Sequence, residues 1–273
     1  MGAASSPENP MRIVSLTCSN TEIVDALGLS HLLVGVDDDS DHPPAVVDPL
    51  PKVGRDLDVD ADQVAALKPD LVLASLTVPG HEKVVARLAE KNLNMVVVSP
   101  KSVSDTLRSI RWIGGMLGVS ERAAKLCASM EAALAPAPDW QSGPRILVEW
   151  WPKPCIAAGN RSWVEQMLRA AGACNAASGV DAESKPLTDV EVQQMAPDAV
   201  VISWCGVPLH KYRPEVVRKR PAWAQVPAIR NDHIVPISEA FMGRPGPRIV
   251  EGVRQLRAVV EQVRATSSNS TPR

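Results

Sequence analysis

Short apolar runs alternate along the chain with segments in which apolar residues recur every three or four positions. In the first half, the apolar runs of strand length are residues 13–16, 32–36, 71–74 and 95–98. The segments with helical character between them are residues 18–27, 64–67 and 81–91. An alternation of strands and helices is typical of parallel sheets joined by right-handed crossovers. The pattern therefore predicts an α/β fold with parallel sheets.

The second half of the chain repeats the order of the first. Residues 145–149 have the same character as residues 12–16, and residues 194–201 repeat residues 66–73, including a Pro-Asp pair before an apolar run. A repeat of this length predicts two α/β lobes of comparable size. Because small-molecule sites tend to lie at interfaces between domains, a cleft between the lobes is the predicted binding site.

Residues 104–135 lie between the two halves and carry helical periodicity. Gly118 is interpreted as the stop of one helix and Ser120 as the N-cap of the next. These helices are predicted to connect the lobes, and the alternative is an ordinary helix pair in the core of one domain. The predicted order is a disordered N-terminus, an N-terminal lobe, connecting helices, a C-terminal lobe and a disordered tail: residues 1–11, 12–103, 104–135, 136–264 and 265–273.

Composition and charge exclude several classes of function. The chain has 273 residues, 45% of them hydrophobic, and a net charge of −2, so it can bury two cores and has no strong field for nucleic acid or a membrane. The N-terminus lacks the basic and apolar regions of a signal peptide, and no apolar stretch reaches the roughly 18 residues of a membrane span. The expected location is cytoplasmic as written, or periplasmic or at the surface if a leader was removed.

Motifs of the common enzyme classes are missing, which predicts a protein without catalytic residues or a catalytic cofactor. The acidic loop of residues 37–42 contains four aspartates and His42. Oxygen-rich loops suit hard cations, so a metal-dependent hydrolase centred on this loop is one alternative. A solvated turn is the simpler interpretation, and no metal site is predicted.

Tryptophan is over-represented among the aromatic residues, with seven Trp beside one Tyr and one Phe. Trp150 and Trp151 follow one predicted strand and Trp204 follows another. In open α/β sheets, ligands bind beyond the carboxyl ends of the strands, so these rings are candidates to cover a flat or macrocyclic ligand. The alternative is that they fill the core of the second lobe. The remaining tryptophans considered are interpreted as structural: Trp112, Trp140 and Trp223.

Four segments together resemble a known family: residues 15–22, residues 34–36 with 40–44, residues 66–72 and the Arg-Pro-Gly-Pro-Arg sequence at 244–248. The chain is similar over residues 12–263 to the vitamin B12-binding proteins of the class III substrate-binding fold, and within them to a subgroup without leader peptides. The resemblance implies two Rossmann-like lobes joined by a long connecting helix. It also implies a monomer that holds cobalamin or a related corrinoid, with haem or a ferric siderophore as the alternative ligand.

The resemblance also implies which residues form the ligand face. In the first lobe these are Ser19, Asp39, Ser75 and Val97. In the second lobe they are Trp150, Trp151, Trp204 and Phe241. Better-known members carry aromatic rings at the positions of Asp39, Ser75 and Val97, so the first-lobe face of this chain is expected to be more polar.

Family members dock on an ABC permease through one carboxylate per lobe. Glu82 matches the first-lobe position, whereas Gly243 stands at the second. Glu239 lies four residues from Gly243 and is the only substitute proposed. The expected partners are therefore a small-molecule corrinoid and, with half of the docking pair missing, an ABC permease, but no nucleic acid.

Overall fold

The structure, a computed structural model, describes residues 10–269. The predicted disordered N-terminus lies almost entirely outside this range, as does the end of the predicted tail. The contacts divide the chain into two compact units. The first unit extends to Pro100 and includes Arg108–Leu126, and the second comprises Lys101–Leu107 and the chain from Cys127 onward. The limits predicted for the five segments stay a prediction.

The first unit is built on a four-stranded sheet. Its elements in chain order are β1 (Ile13–Ser15), α1 (Cys18–Ala26), β2 (Leu33–Val36), α2 (Pro44–Val47), β3 (Gly54–Arg55), β4 (Asp58–Val59), α3 (Ala61–Ala66), β5 (Leu71–Ser75), α4 (His81–Ala89) and β6 (Met95–Val98). The sheet has the order β2–β1–β5–β6 and all its pairs are parallel. Every residue of β1 and β5 is buried, as expected for a parallel sheet covered on both faces. β3 and β4 form a separate antiparallel hairpin.

Two helices follow, α5 (Val103–Met116) and α6 (Ser120–Ala133). Gly118 lies between them with a positive φ of 71°, which confirms its predicted role as a helix stop. Ser120 is the first helical residue rather than the cap before it, a difference of one position. The helices pack so closely that a Cβ on Gly114 would lie 2.4 Å from the Cβ of Ala123.

The second unit contains a larger, mixed sheet. Its elements are β7 (Arg145–Pro152), β8 (Cys155–Ala158), α7 (Trp163–Ala171), β9 (Cys174–Asn175), β10 (Ser184–Leu187), α8 (Asp189–Met195), β11 (Ala199–Ile202), α9 (Pro214–Arg218), α10 (Pro227–Arg230), β12 (Ile234–Pro236), α11 (Glu239–Met242) and α12 (Ile249–Asn269). The main order is β10–β8–β7–β11–β12, and β9 also pairs with β7.

The expectation of purely parallel sheets is wrong for part of the second unit. β9, β11 and β12 pair in parallel, but β8 and β10 run antiparallel to their neighbours. The cause is the short turn at Lys153-Pro154, which reverses the chain directly after β7. A turn of two residues joins only antiparallel strands, whereas a parallel pair needs a long crossover.

The last helix differs from its prediction at both ends. α12 begins at Ile249, so Pro247 precedes the helix instead of occupying its first turn. The helix continues to Asn269, and residues 265–269 are therefore helical rather than part of a disordered tail. Its buried face includes Ile249, Val253 and Leu256, in the predicted spacing. Among the described residues, no helix is long and apolar enough to cross a membrane.

Candidate functional site

The four predicted ligand residues of the first unit lie at the carboxyl edge of its sheet. Ser19 is in the first turn of α1, which follows β1, and Asp39 lies in the loop after β2. Ser75 is the last residue of β5 and pairs with Val98, the neighbour of Val97 in β6. Because parallel strands end at the same edge, the fold brings these positions to one side of the sheet.

Buried hydroxyl groups are hydrogen-bonded to one another behind this edge. The Thr21 hydroxyl donates to Ser15 Oγ over 2.9 Å and lies 3.0 Å from Ser40 Oγ. Ser40 in turn donates to Asp37 Oδ2 over 2.7 Å. All four side chains are buried. Burial raises the pKa of Asp37 to about 6, although the hydrogen bond from Ser40 lowers it in part.

Asp39 fixes the β3–β4 hairpin next to this edge. Its Oδ1 lies 3.2 Å from the guanidinium of Arg55, and its Oδ2 accepts from the Asp56 amide over 3.2 Å. The Cys18 thiol donates to its carbonyl oxygen over 2.9 Å. The carboxylate therefore holds the hairpin turn and still keeps 36% of its side chain exposed.

The acidic loop is neither a cation cluster nor a fully solvated turn. Asp37 is completely buried, which contradicts the solvated interpretation for that residue. Asp38 accepts from the Gly54 amide over 3.0 Å, so its carboxylate also binds backbone. Within residues 10–269, no group of three or more His, Cys, Asp or Glu side chains is arranged to hold a metal ion.

In the second unit, the indole pair lies within the long strand β7 rather than after it. β7 continues through Trp150 and Trp151 to Pro152 because it pairs with β8 there. The register shifts between Glu149 and Trp151, so Trp150 is an extra residue, a β-bulge. Trp150 is only 8% exposed, whereas Trp151 is 41% exposed. Trp151 is thus the indole of this strand that presents a large surface.

Trp204 lies two residues beyond β11 and is buried in the core cluster of the second unit. Its indole N–H donates to Glu149 Oε1 over 3.0 Å, and its ring centroid lies 5.4 Å from that of Tyr212. The Cys205 amide donates to the Trp150 carbonyl over 3.1 Å, which ties the two Trp-bearing segments together. Burial raises the pKa of the Tyr212 phenol.

Glu149 and Arg220 form a buried ion pair that sequence reasoning missed. Two Arg220 nitrogens lie 2.5 and 3.1 Å from the two Glu149 oxygens. Arg220 also donates to the Pro152 carbonyl over 2.9 Å and stacks 4.2 Å from the Trp223 ring. Burial raises the pKa of the neighbouring Cys155 thiol, and the Glu149 charge raises it further. The available signal was a carboxylate inside an otherwise apolar strand.

Phe241, the remaining predicted ligand residue, lies in the short helix α11. The Arg248 guanidinium lies 5.3 Å from its ring centroid. A Cβ on Gly252 of α12 would approach the Phe241 carbonyl oxygen to 2.2 Å, so α11 packs directly on the glycine. Phe241 is half-buried, and the glycine explains how the helix that carries it fits against α12.

The two predicted docking carboxylates have different environments. Glu82 is exposed, and its Oε2 accepts from the Gly80 amide over 2.9 Å. Hydrogen bonds from its own amide and from Gly80 lower the pKa of Glu82. Glu239 is mostly buried, pairs with Arg244 over 3.2 Å and accepts from the Gly206 amide over 3.2 Å. Its interactions within the unit argue against Glu239 as the second docking carboxylate.

The tryptophans interpreted as structural do not all lie in the core. Trp223 is completely buried, and its N–H donates to Asp189 over 2.7 Å. Trp140 packs under the Arg169 guanidinium at 4.5 Å. Trp112 on α5 is 48% exposed, so it does not fill the core, and its structural interpretation stays a prediction. Helical spacing alone did not show which face of α5 is covered.

An α/β fold in two units, with the predicted ligand residues of the first unit at the carboxyl edge of its sheet, is consistent with a solute-binding protein. The chain belongs to the periplasmic binding protein family, whose model matches residues 13–240. Members of this class III family are not enzymes. The resemblance stated from the sequence, the α/β class and the non-enzymatic assignment are therefore confirmed.

Three similar proteins illustrate the family. An uncharacterized ABC transporter substrate-binding lipoprotein of Bacillus subtilis is 31% identical over 258 residues, covering 91% of this chain and 79% of the relative. A vitamin B12-binding protein of Salmonella choleraesuis is 25% identical over 258 residues, covering 92% and 91%. The structure of a periplasmic heme-binding protein from Roseiflexus sp. RS-1 in apo form has a TM-score of 0.80 at 27% identity, covering 93% and 99%. The chain is thus a substrate-binding protein of the ABC transporter type.

Proposed function

We propose that the protein binds cobalamin or a related corrinoid and delivers it to an ABC permease. The observation that carries this proposal is the 41% exposed indole of Trp151 at the end of β7. It lies beyond the part of β7 that pairs with β11, which ends at Glu149. An exposed indole beyond the carboxyl ends of parallel strands is placed to cover a flat ring system.

Tight binding of a corrin ring needs more contacts than one indole supplies. One aromatic ring that buries 150–250 Å² contributes roughly 4–6 kcal/mol gross at about 25 cal/mol per Å². Nanomolar affinity needs about 12 kcal/mol net, so one indole is not enough. Phe241, the other partly exposed ring among the predicted ligand residues of the second unit, is a candidate for an additional contact. The predicted inter-lobe position of the ligand stays a prediction.

The named relatives support two ligand classes. The relative from Salmonella choleraesuis is named for vitamin B12, which favours the corrinoid. The apo structure from Roseiflexus is named for heme, and its TM-score of 0.80 makes haem the second candidate. Both are flat tetrapyrrole-like macrocycles with a central metal, so the exposed indole suits either. A ferric siderophore remains the third predicted ligand.

Titration with the ligands themselves tests the proposal. Cyanocobalamin, hemin and a ferric hydroxamate are each added to the purified protein while the tryptophan emission and the ligand absorbance are recorded. Quenching by cyanocobalamin at micromolar concentration or below, with weaker competition by hemin, is expected. If hemin bound more tightly than cyanocobalamin, haem and not a corrinoid would be the proposed ligand. Unchanged emission and absorbance with all three ligands would contradict a metal-chelate binder.

Docking to the permease is proposed to use Glu82 of the first unit. The carboxylate is exposed, and its lowered pKa keeps it ionised for an arginine partner. Glu239 is not proposed, because it is paired with Arg244. The monomeric state and the cytoplasmic location expected from the sequence stay predictions.

A further inference from the structure

Glu149 is a completely buried carboxylate in the middle of the second unit, and it does not itself reach a ligand surface. Its two oxygens bind two nitrogens of Arg220 and the indole N–H of Trp204. A buried ion pair of this kind adds little to stability, since well-packed apolar residues in its place are often neutral or stabilising. Fold stability is therefore a weak explanation for placing two charges here.

The bonds of this pair hold the segments on either side of the exposed Trp151 indole. Glu149 fixes the orientation of the Trp204 ring through the indole N–H. Arg220 fixes the end of β7 through the Pro152 carbonyl, one residue after Trp151. A third tie, from the Cys205 amide to the Trp150 carbonyl, joins the two segments.

The β-bulge gives this support a role. An extra residue interrupts the ladder between β7 and β8 at Trp150, and pairing resumes between Trp151 and Ile156. A bulge re-aims neighbouring side chains, so the direction of the Trp151 indole depends on how the bulged segment is held.

We propose that Glu149 and Arg220 are positioning residues for the exposed indole of Trp151. Arg220 holds the end of β7, and Glu149 holds the buried Trp204 ring, whose segment is bonded to Trp150. This inference rests on the proposed function, in which the Trp151 indole contacts the ligand.

Two double variants separate positioning from stability. Glu149→Met with Arg220→Met replaces both charges by apolar side chains and removes the acceptor of the Trp204 N–H. Glu149→Gln with Arg220→Met also removes both charges, but the glutamine carbonyl keeps that acceptor. The two proteins differ only in the side chain at position 149, so each serves as the control for the other.

The first measurement is ligand affinity, with cyanocobalamin and hemin as probes. We expect the Met/Met variant to bind about tenfold more weakly than the wild type, as a buried donor without an acceptor shifts the ring. The Gln/Met variant is expected to recover the part of this loss that comes from the Trp204 N–H, and to keep the part that comes from the lost bond between Arg220 and Pro152. Urea unfolding of both variants establishes that they remain folded. Wild-type affinity in the Met/Met variant would overturn the inference, and an equal loss in both variants would overturn the role assigned to Glu149.

The second measurement needs no ligand. Acrylamide quenching of tryptophan emission reports on indole exposure in the free protein, and we expect greater quenching for Met/Met than for Gln/Met. If the wild type bound neither probe, the proposed function would fail, while unchanged quenching would separately overturn the positioning role.

Arg220→Lys provides an independent test if the Met/Met variant does not fold. Lysine keeps the charge but cannot make the paired bonds to Glu149 and the bond to Pro152 at once. Weaker probe binding with a retained fold is expected, and wild-type affinity and quenching would contradict the role of Arg220.

Discussion

Asp37 in the first unit and Glu149 in the second are both completely buried carboxyls next to the predicted ligand face, and the protein stabilises them differently. Asp37 accepts from the Ser40 hydroxyl and the Asp39 amide, which are neutral donors. Glu149 is paired with the guanidinium of Arg220. Burial raises the pKa of Asp37, and its two neutral donors offset only part of this shift, whereas Glu149 lies against a cationic partner.

The difference follows the chemistry of the two faces. In the first unit, Ser19 and Ser75 are buried and Asp39 is partly exposed, next to hydroxyls that can rotate to suit a proton or a ligand. The second unit presents the indole of Trp151, whose orientation decides whether its face meets a ligand. The comparison predicts a first unit that responds to pH and a second unit whose geometry depends on one ion pair.

The largest effect is expected for Glu149→Ala. This change leaves the Arg220 guanidinium buried without its carboxylate and removes the acceptor of the Trp204 N–H. We expect a loss of about 3–5 kcal/mol in the free energy of unfolding, the usual result of breaking a buried pair. Urea unfolding followed by tryptophan emission reports this loss well, because six of the seven tryptophans belong to the second unit.

The matched control for Glu149→Ala is the Met/Met double variant at positions 149 and 220. It removes the pair without leaving a lone charge, so its unfolding free energy is expected to be much closer to that of the wild type. If the single and double variants were equally destabilised, the buried charge would not be the cause.

A smaller effect, with a specific pH dependence, is expected for Asp37→Asn. The folded pKa of Asp37 is raised from 3.8 to about 6, so the folded state binds more protons than the unfolded state between these values. The protonated group therefore contributes stability at low pH, and this contribution is lost as the pH rises from about 4 to 6. A shift of roughly two pKa units at 1.36 kcal/mol per unit corresponds to a loss of about 3 kcal/mol in the free energy of unfolding.

The measurement for Asp37→Asn is the free energy of unfolding at pH values from 4 to 7. The difference between variant and wild type is expected to grow in favour of the variant across this range and to be constant above it. Carboxylates with a lowered pKa, such as Glu191 and Glu251, contribute stability that is lost only at lower pH. Their contribution is the same in variant and wild type, so it cancels in the difference between the two unfolding free energies. If the unfolding free energies of variant and wild type changed in parallel with pH, ionisation of Asp37 would not destabilise the folded state.

The two buried carboxyls also show where sequence reasoning stops. The charged residue inside the apolar run of β7 was visible, but its partner Arg220 lies 71 positions away. The periodicity of apolar residues predicts that a segment is buried, but it does not predict which distant side chain contacts that segment. The burial of Asp37 was hidden for a different reason: it follows a strand in a strongly acidic loop, whose composition is typical of exposed turns.

Trp151→Ala is expected to change ligand binding more than stability. The indole is 41% exposed, so its removal leaves little cavity, and the loss of ring contacts is expected to weaken binding by more than about tenfold, or 1.4 kcal/mol. Trp112→Ala in the first unit is the control, because that indole is 48% exposed and lies outside the proposed face. Titration of both variants with cyanocobalamin and hemin makes the comparison. Equal affinities would remove Trp151 from the site.

The repeat is the part of the fold that the sequence predicted best. Residues 12–16 and 145–149 form the corresponding strands β1 and β7, and both Pro-Asp pairs precede the next parallel strand. The residues before these prolines, Lys68 and Ala196, have positive φ angles of 49° and 42°. What the repeat could not predict is the antiparallel pair β8 and β10, which has no counterpart in the sheet of the first unit.

The smallest expected effect concerns the aspartates of the two Pro-Asp pairs, Asp70 and Asp198. It tests whether each stabilises the first strand of its unit to the same extent. Asp70 Oδ2 accepts from the Arg12 amide over 2.7 Å, and Asp198 Oδ2 accepts from the Arg145 amide over 2.8 Å. Replacing either aspartate by Ala is expected to lower the free energy of unfolding by about 1 kcal/mol, the net value of one such hydrogen bond.

The cost of losing this bond is expected to be higher at Asp198, which is half-buried, than at Asp70, which is exposed. Asp58→Ala is the control, since that side chain is 91% exposed and has only a 3.6 Å ion pair with Arg87. Its effect is expected to stay within about 0.5 kcal/mol in urea unfolding. If replacing only one of Asp70 and Asp198 lowered the unfolding free energy, the aspartate bond would stabilise the first strand of one unit and not of the other. The repeat would then preserve the backbone geometry of the two units but not this interaction.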